Sequence, residues 1–336
     1  MNTIPAPADT LRSMVTGLRV AQMVYVVAKL GIADLLENGP KHCDDLAAVT
    51  GTHAPSLYRL LRGLGSLGLF TEVAERQFAL TPLGEPLRTR APGSLRDLAI
   101  FWNEDWHWRL WGELLQSVRT GEPATRRLWG MDLFEYLDQN LEASTGFDRA
   151  MAGSYLERNA ALVSSFDFTG IETLVDVGGG HGNLLAAILA ANPGMRGVLF
   201  DRPEVVAGAP AVLRAAGVEE RCERVGGSIF DTVPEGGDAY LLAALIHAWD
   251  EAETAIVLRS CRRAMKAESR LLLVEHVIPP GNAPHRGKLT DIEMLLVGGR
   301  ERTEAEFRAL LASAGFQLMQ IVPSGAPPSI IEGVPA

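Results

Sequence analysis

Residues 173–188 read TLVDVGGGHGNLLAAI. An apolar run broken by one acid enters a knot of glycines, and the apolar positions beyond it have the spacing of a helix. Strand, bare loop and helix in that order is how an open α/β sheet meets a ligand. The site lies beyond the carboxyl end of the strand, where glycine removes the Cβ that would hold a ligand away. Two common versions of this loop fail at single positions. Counted from Gly178 and Gly180, a dinucleotide fingerprint needs glycine at 183, where the chain has Asn183, and no Gly-Lys-Ser/Thr follows to make a P-loop.

What remains is acid-x-Gly-x-Gly-x-Gly, met by Asp176, Gly178, Gly180 and Gly182, with a second acid, Asp201, ending the next apolar run. An acid in that place can accept both hydroxyls of a ribose. With no pyrophosphate signature, the expected ligand is a nucleoside without phosphates. S-adenosylmethionine fits, with its ribose on Asp201, its adenine in an apolar slot and its zwitterionic tail near the glycines. The competing reading of the knot is a tight strand-to-helix turn with no ligand.

Outward from the loop, apolar strands alternate with helices: TLVDVG, NLLAAILAAN, RGVLFD, PEVVAGAPAVLRAAG, CERVGGSIF, DAYLLAALIH, EAETAIVLRSCRRAM, RLLLVEHV, TEAEFRALLASAG and a final FQLMQIV. That alternation predicts an α/β domain with a doubly wound, mainly parallel Rossmann-like sheet over residues 166–336. Residues 1–165 have another texture. DDLAAVTGTHAPSLYRLLRGLGSLGLF predicts a helix, a turn at Gly51 and a second helix with Leu57, Leu60, Leu61, Leu64 and Leu67 on one stripe; LFTEVAERQFALT predicts a hairpin. Helix, turn, helix and hairpin make a winged-helix module, read here as a packing or dimerisation module rather than a DNA reader. Residues 94–165 read as mostly helical. There FWNEDWHWRLW puts Trp102 with Trp106, and Trp108 with Trp111, on shared helix faces suited to core or interface packing, with an aromatic ligand wall as the alternative.

Bulk composition narrows the function classes. The 336 residues are 47% hydrophobic and carry a formal net charge of −10, which repels phosphate backbones and argues against nucleic acid or an anionic membrane as partner. Cys43, Cys222 and Cys261 are odd in number and far apart, so neither a disulfide frame nor a metal site is expected. MNTIPAPADTLRS lacks the basic stretch and apolar core of a secretion signal, and MVYVVAKLGIADLL is too short and too charged to span a bilayer. A cytoplasmic protein is expected.

Over nearly its whole length the chain resembles the S-adenosylmethionine-dependent small-molecule O-methyltransferases, which include plant caffeate and flavonoid enzymes, the hydroxyindole enzyme and bacterial natural-product enzymes. The stretches that carry the resemblance are LVDVGGGHG, VLFDRPEVV, GGSIFDTVP, LIHAWDE, LLLVEHVIP and GGRERTEAEFRALLASAGF, in the family's order. The resemblance implies a homodimer whose winged-helix domain closes part of the partner's substrate pocket. It implies Gly178 and Asp201 on the cofactor, Ile229 and Phe230 near the adenine with Trp249 beside it, and His247 as general base bracketed by Glu275 and Glu301. Phe147, Met151 and Met294 correspond to residues lining the acceptor pocket.

The chemistry agrees with that assignment. In-line displacement at a sulfonium methyl needs a deprotonated oxygen held against it with water excluded. A phenol titrates near pH ~10 and histidine near ~6.5, which suits an imidazole to take that proton. A carboxylate on the other ring nitrogen fixes the tautomer and stabilises the imidazolium. His247 alone, ending an apolar strand, would otherwise read as a satisfied core histidine.

The chain departs from the family at the adenine-facing acid, here Ser228, at a basic position taken by Ala243, and at the acid after the histidine, here Ala248. MLLVGGRER is also shorter than usual, so that acceptor wall is expected to be reshaped. Three functions compete: phenolic O-methylation of a small aromatic or polyketide-like metabolite, a non-methylating reaction of a family relative (decarboxylation, hydroxylation or a pericyclic step), and a cofactor-sensing regulator. His181, inside the cofactor loop, has no matched role, nor have His276 and His285.

Overall fold

The structure is a computed structural model that describes residues 6–324 and 328–336, with side chains given outside 152–157. The first five residues, part of the stretch read against a secretion signal, lie outside it. Two compact units interleave along the chain: residues 1–109 with 137–154, and residues 110–136 with 155–336. The sequence suggested one cut at 165/166. The difference arises because residues 110–136 pack within the second unit, where Pro123 lies against the turn at Gly298.

In the first unit the helices Cys43–Thr50 and Ala54–Gly65 are followed by wing strands Phe70–Ala74 and Gln77–Leu80. A short strand, Lys41–His42, completes an antiparallel sheet on the second wing strand, so the expected winged helix is present. Leu57, Leu61 and Leu64 are buried in its core with Phe70 and Phe78, and Leu60 packs against them. Leu67 does not join them: the helix ends at Gly65, and the side chain is exposed. The Arg62 and Arg76 guanidinium groups lie over the Tyr58 ring at 5.5 and 4.8 Å. Trp102 and Trp106 both meet Phe101 and His107 edge-on or nearly so, which makes them packing residues of this unit. On the helices Pro7–Val15 and Gly17–Lys29, Leu11, Met14, Val15 and Leu18 are left exposed.

The second unit is built on a seven-stranded sheet, whose strands we number β1 (Thr173–Val177), β2 (Arg196–Asp201), β3 (Cys222–Gly226), β4 (Ala239–Ala243), β5 (Arg270–Glu275), β6 (Phe316–Pro323) and β7 (Ser329–Pro335). Their order is β6-β7-β5-β4-β1-β2-β3, parallel from β3 to β5, with β7 antiparallel to both β5 and β6. Apolar runs without alternation form these strands because both faces are covered. Leu174, Leu241, Leu272 and Val274 point to one core, shared with the helix Asn183–Ala191. Val175, Val177, Tyr240, Leu242, Leu271 and Leu273 point to the other, shared with the helices Glu251–Ala264 and Glu304–Ser313. Both of those helices start with a capping box, Asp250 with Glu253 and Thr303 with Glu306, which satisfies backbone N–H groups that a helix leaves open at its start. Strand order reverses between β1 and β4, so the carboxyl ends of those strands flank the crevice where such sheets bind ligands.

Candidate active site

The glycine loop leaves β1 at that crevice. Gly178, Gly180 and Gly182 all have positive φ, which L side chains rarely adopt. A Cβ on Gly179 would meet the Asp176 carboxylate at 2.4 Å, whereas one on Gly180 would enter open space. The loop is therefore bare for two reasons: its own packing on Asp176 and its open side. Gly180 N–H donates to Asp201 Oδ2 at 2.8 Å, and Arg202 N–H donates to Oδ1 at 2.7 Å, which holds the β2 carboxylate at the loop. Asp176 is 2% exposed, and burial, with the Asp201 charge adding to it, pushes its carboxyl up to about 7. His181 packs elsewhere: its ring fills the space over Gly208, where a Cβ would come within 2.8 Å of Nε2.

Ser228, Ile229 and Phe230 follow β3. Ser228 Oγ accepts from the Phe230 N–H at 3.3 Å, and the Phe230 ring meets Trp249 edge-on at 5.3 Å. Ile229 and Trp249 pack against the same core. The glycine loop and Asp201 thus lie at the carboxyl ends of β1 and β2, and Ser228, Ile229 and Phe230 follow β3.

His247 sits in the single turn Ile246–Ala248 that follows β4. Its Nδ1 is 3.1 Å from Glu301 Oε1 and 3.3 Å from Glu275 Oε2. Glu275 ends β5, and its other oxygen accepts the Leu245 and Ile246 N–H groups at 2.9 Å each. Glu301 comes from the distant GGRERT segment, whose register is set by a short parallel pairing of Val277–Ile278 with Arg302–Thr303. That pairing lays the chain after Glu275 beside the chain after Glu301, so two carboxylates 26 positions apart converge on one imidazole. Gly299 makes the approach possible: a Cβ there would lie 1.9 Å from the His247 carbonyl oxygen. Arg300 N–H donates to that same carbonyl at 2.8 Å, and Asp291 Oδ1 accepts the Glu301 N–H at 2.8 Å.

Electrostatics follow from this geometry. Burial lowers the proton affinity of His247, but Glu275 and the hydrogen-bonded Glu301 outweigh it and raise the imidazolium to about 9. Burial raises the Glu275 carboxyl, His247 opposes that rise and Glu301 adds to it. The donor atoms of His247, Glu275 and Glu301 lie within 4.8 Å of one another; Nδ1 is hydrogen-bonded to Glu301 Oε1, while Glu275 Oε2 faces it as an ion pair. Nδ1 faces both acids, so Nε2 is the ring nitrogen turned away from them.

The acceptor residues named from the sequence are divided between the units. Phe147 meets Phe101 edge-on at 5.7 Å, and Met151 lies on the same helix, Leu141–Ser165, in the first unit. Met294 lies in the second, where its carbonyl accepts the Gly298 and Gly299 N–H groups. Sequence reasoning missed Asp291, Gly299 and Arg302 as parts of the triad's support. The glycine pair before RERT was the available signal, since two glycines between a helix and a charged run mark a close backbone approach.

A three-layer α/β unit with a glycine-rich loop and an acid-clamped histidine, both at the carboxyl ends of its parallel strands, has the parts of a group-transfer site. Residues 111–317 match the O-methyltransferase domain and residues 13–90 the O-methyltransferase dimerisation domain, so the chain belongs to this O-methyltransferase family. It is 44% identical to a phenazine O-methyltransferase of Lysobacter antibioticus, over 98% of this chain and 96% of that one. It is 39% identical to an 8-amino-8-demethylriboflavin N,N-dimethyltransferase of Streptomyces davaonensis, over 94% and 92%. Among solved structures, a mitomycin 7-O-methyltransferase superposes with a TM-score of 0.92 at 37% identity, covering 98% of each chain. An O-methyltransferase of neocarzinostatin biosynthesis, solved with S-adenosylmethionine and 2-hydroxy-5-methyl naphthoic acid, superposes with a TM-score of 0.83 at 32% identity, covering 94% and 96%. No helix among the described residues is long and apolar enough to cross a membrane.

Proposed function

We propose that this enzyme moves a methyl group from S-adenosylmethionine to a phenolic hydroxyl of a small aromatic or polyketide-like metabolite, with His247 as general base. The observation that carries the reading is the imidazole clamped at Nδ1 by Glu275 and Glu301, on the sheet edge that also bears the glycine loop. S-adenosylmethionine, when bound, would supply an electrophilic sulfonium methyl, the departing thioether keeping the bonding pair, and the residues below would hold it. Asp201 accepts the ribose hydroxyls, Asp176, Gly178, Gly180 and Gly182 shape the loop, and Ser228, Ile229, Phe230 and Trp249 enclose the base. His247 Nε2 takes the acceptor's proton. An imidazolium near 9 facing a phenol near ~10 is a closely matched pair, so proton transfer costs little free energy. Glu275 and Glu301 stabilise the imidazolium that results, and Phe147, Met151 and Met294 are assigned to the acceptor.

The first 165 residues serve dimerisation and substrate enclosure, and residues 166–336 serve cofactor binding and chemistry. The uncovered side chains of Leu11, Met14, Val15 and Leu18 support a homodimer, and the reading places the enzyme in the cytoplasm. Methyl transfer to an aromatic amine is a second reading, favoured by the likeness to the riboflavin dimethyltransferase. The acid-clamped base favours oxygen, because a neutral amine attacks without prior deprotonation. A non-methylating reaction would leave that base without work.

The test is incubation with methyl-labelled S-adenosylmethionine and a panel of hydroxy- and amino-substituted aromatics, following label and S-adenosylhomocysteine. Label on oxygen, lost in His247→Ala with cofactor binding retained, is the expected result. Undiminished turnover in that variant would sink the base assignment, and label on nitrogen alone would move the reading to the amine.

A further inference from the structure

Arg302 is 1% exposed, an unusual burial for a cation that carries five N–H donors. Nη1 donates to the Ile246 carbonyl at 3.2 Å, where the Thr254 hydroxyl also donates, and Nε donates to Glu251 Oε1 at 3.1 Å. Nη2 is buried with no hydrogen-bond partner among the described residues. The guanidinium thus grips the peptide just before His247 and follows Glu301 directly in the chain.

The charged and titratable groups facing His247 come from two segments: Glu275 at the end of β5 with His276 after it, and Glu301 with Arg302 from residues 299–303. Burial lowers the proton affinity of His276, so it brings little positive charge at neutral pH. Two buried carboxylates on one imidazole would hold its proton too firmly for a base that must release it each cycle. A buried cation on the far side of the same turn opposes them.

We infer that Arg302 is a positioning residue for the base, fixing the Ile246–His247 turn through its guanidinium while its buried charge keeps the His247 proton transferable. This rests on the reading of His247 as the base. Glu251, whose side chain is half exposed, bridges Arg300 and Arg302 and acts on His247 through Arg302.

The experiment measures kcat/KM against pH, together with cofactor affinity and folding, for the wild type, Arg302→Met, Arg302→Lys and Glu251→Gln. Arg302→Met should bind S-adenosylhomocysteine within about threefold of the wild type. Its kcat should fall at least tenfold, and the limb where activity rises with pH should move up by about one unit, through loss of the opposing charge. Arg302→Lys should keep the wild-type limb but lose kcat, because it retains the charge without the fork. Glu251→Gln, which frees Arg302 of a counter-charge, should move the limb down, and this holds even if Arg302→Met fails to fold. A limb unmoved in both Arg302→Met and Glu251→Gln overturns the inference, as does a limb unmoved in Glu251→Gln when Arg302→Met does not fold. Turnover unchanged in His247→Ala overturns the base itself, a separate failure.

Discussion

Glu275 holds His247 twice over: one oxygen lies 3.3 Å from the imidazole Nδ1, and the other accepts both backbone N–H groups of Leu245 and Ile246, the two residues before it. The same carboxylate therefore sets the path of the turn and the charge of the ring it carries. These two functions separate by substitution. Glu275→Gln keeps an acceptor for the backbone and should lower kcat about 10–100-fold with little loss of stability. Glu275→Ala leaves two buried N–H groups unpaired and should also destabilise the fold by about 2–4 kcal/mol, read by chemical denaturation. Equal stability loss in both variants would refute this division.

The raised proton affinity of His247 predicts an alkaline enzyme. With the imidazolium near 9, kcat/KM for a phenol should climb from pH 6.5 towards pH 9, before the acceptor's own ionisation complicates the profile. Stability should run the other way. The folded histidine binds its proton more tightly than the unfolded one at 6.5, so its contribution is fully present below 6.5 and is lost as pH rises through about 9. Melting temperatures of the wild type and His247→Gln across pH 6–10 would register it, and parallel curves would contradict it.

Asp176 is raised as well, and for an acid that marks a penalty on the ionised form. In the folded protein the carboxyl titrates near 7 against 3.8 unfolded, so stability falls as pH rises between those values. Asp176→Asn should be more stable than the wild type above pH 7, by on the order of a few kcal/mol, with the gain shrinking towards pH 4. Cofactor affinity should drop in the same variant if the loop geometry depends on the carboxylate. A stability gain that is flat with pH would disprove the assignment.

Ala244 has φ of 51°, one of two non-glycine residues with positive φ among the described residues, at the point where β4 bends into the His247 turn. Ala244→Gly should stabilise by about 1 kcal/mol by removing Cβ strain, and a β-branched Ala244→Val should destabilise by more than that. The measurement is a denaturant midpoint for each variant. A Gly variant no more stable than the wild type would mean that the strain is absent.

The sheet and the winged helix could be read from the sequence because both leave local patterns: β1, β2, β4 and β5 are apolar runs of strand length, and Leu57, Leu61 and Leu64 repeat at helical spacing. His247, Glu275 and Glu301 could be named from the motifs around them, but the device that joins them could not. The two-residue pairing of Val277–Ile278 with Arg302–Thr303 is too short to leave a pattern. Arg302 looks in sequence like any surface arginine in a charged run, since burial of a cation depends on carbonyls and acids brought from distant segments. The strand β7 was also missed. SIIEGVP has only three large apolar residues beyond its proline-rich approach, and it is a strand because β5 and β6 each offer it an edge.

That last strand bears on how the molecule is made. β7 lies between β5 and β6, so the outer edge of the strand bearing Glu275 is closed by residues 329–335, synthesised more than fifty positions later. Before they pair, the backbone edge of that apolar strand is open to other chains, the situation in which unpaired strands template aggregation. Completion of the sheet beside Glu275 therefore waits on residues 329–335.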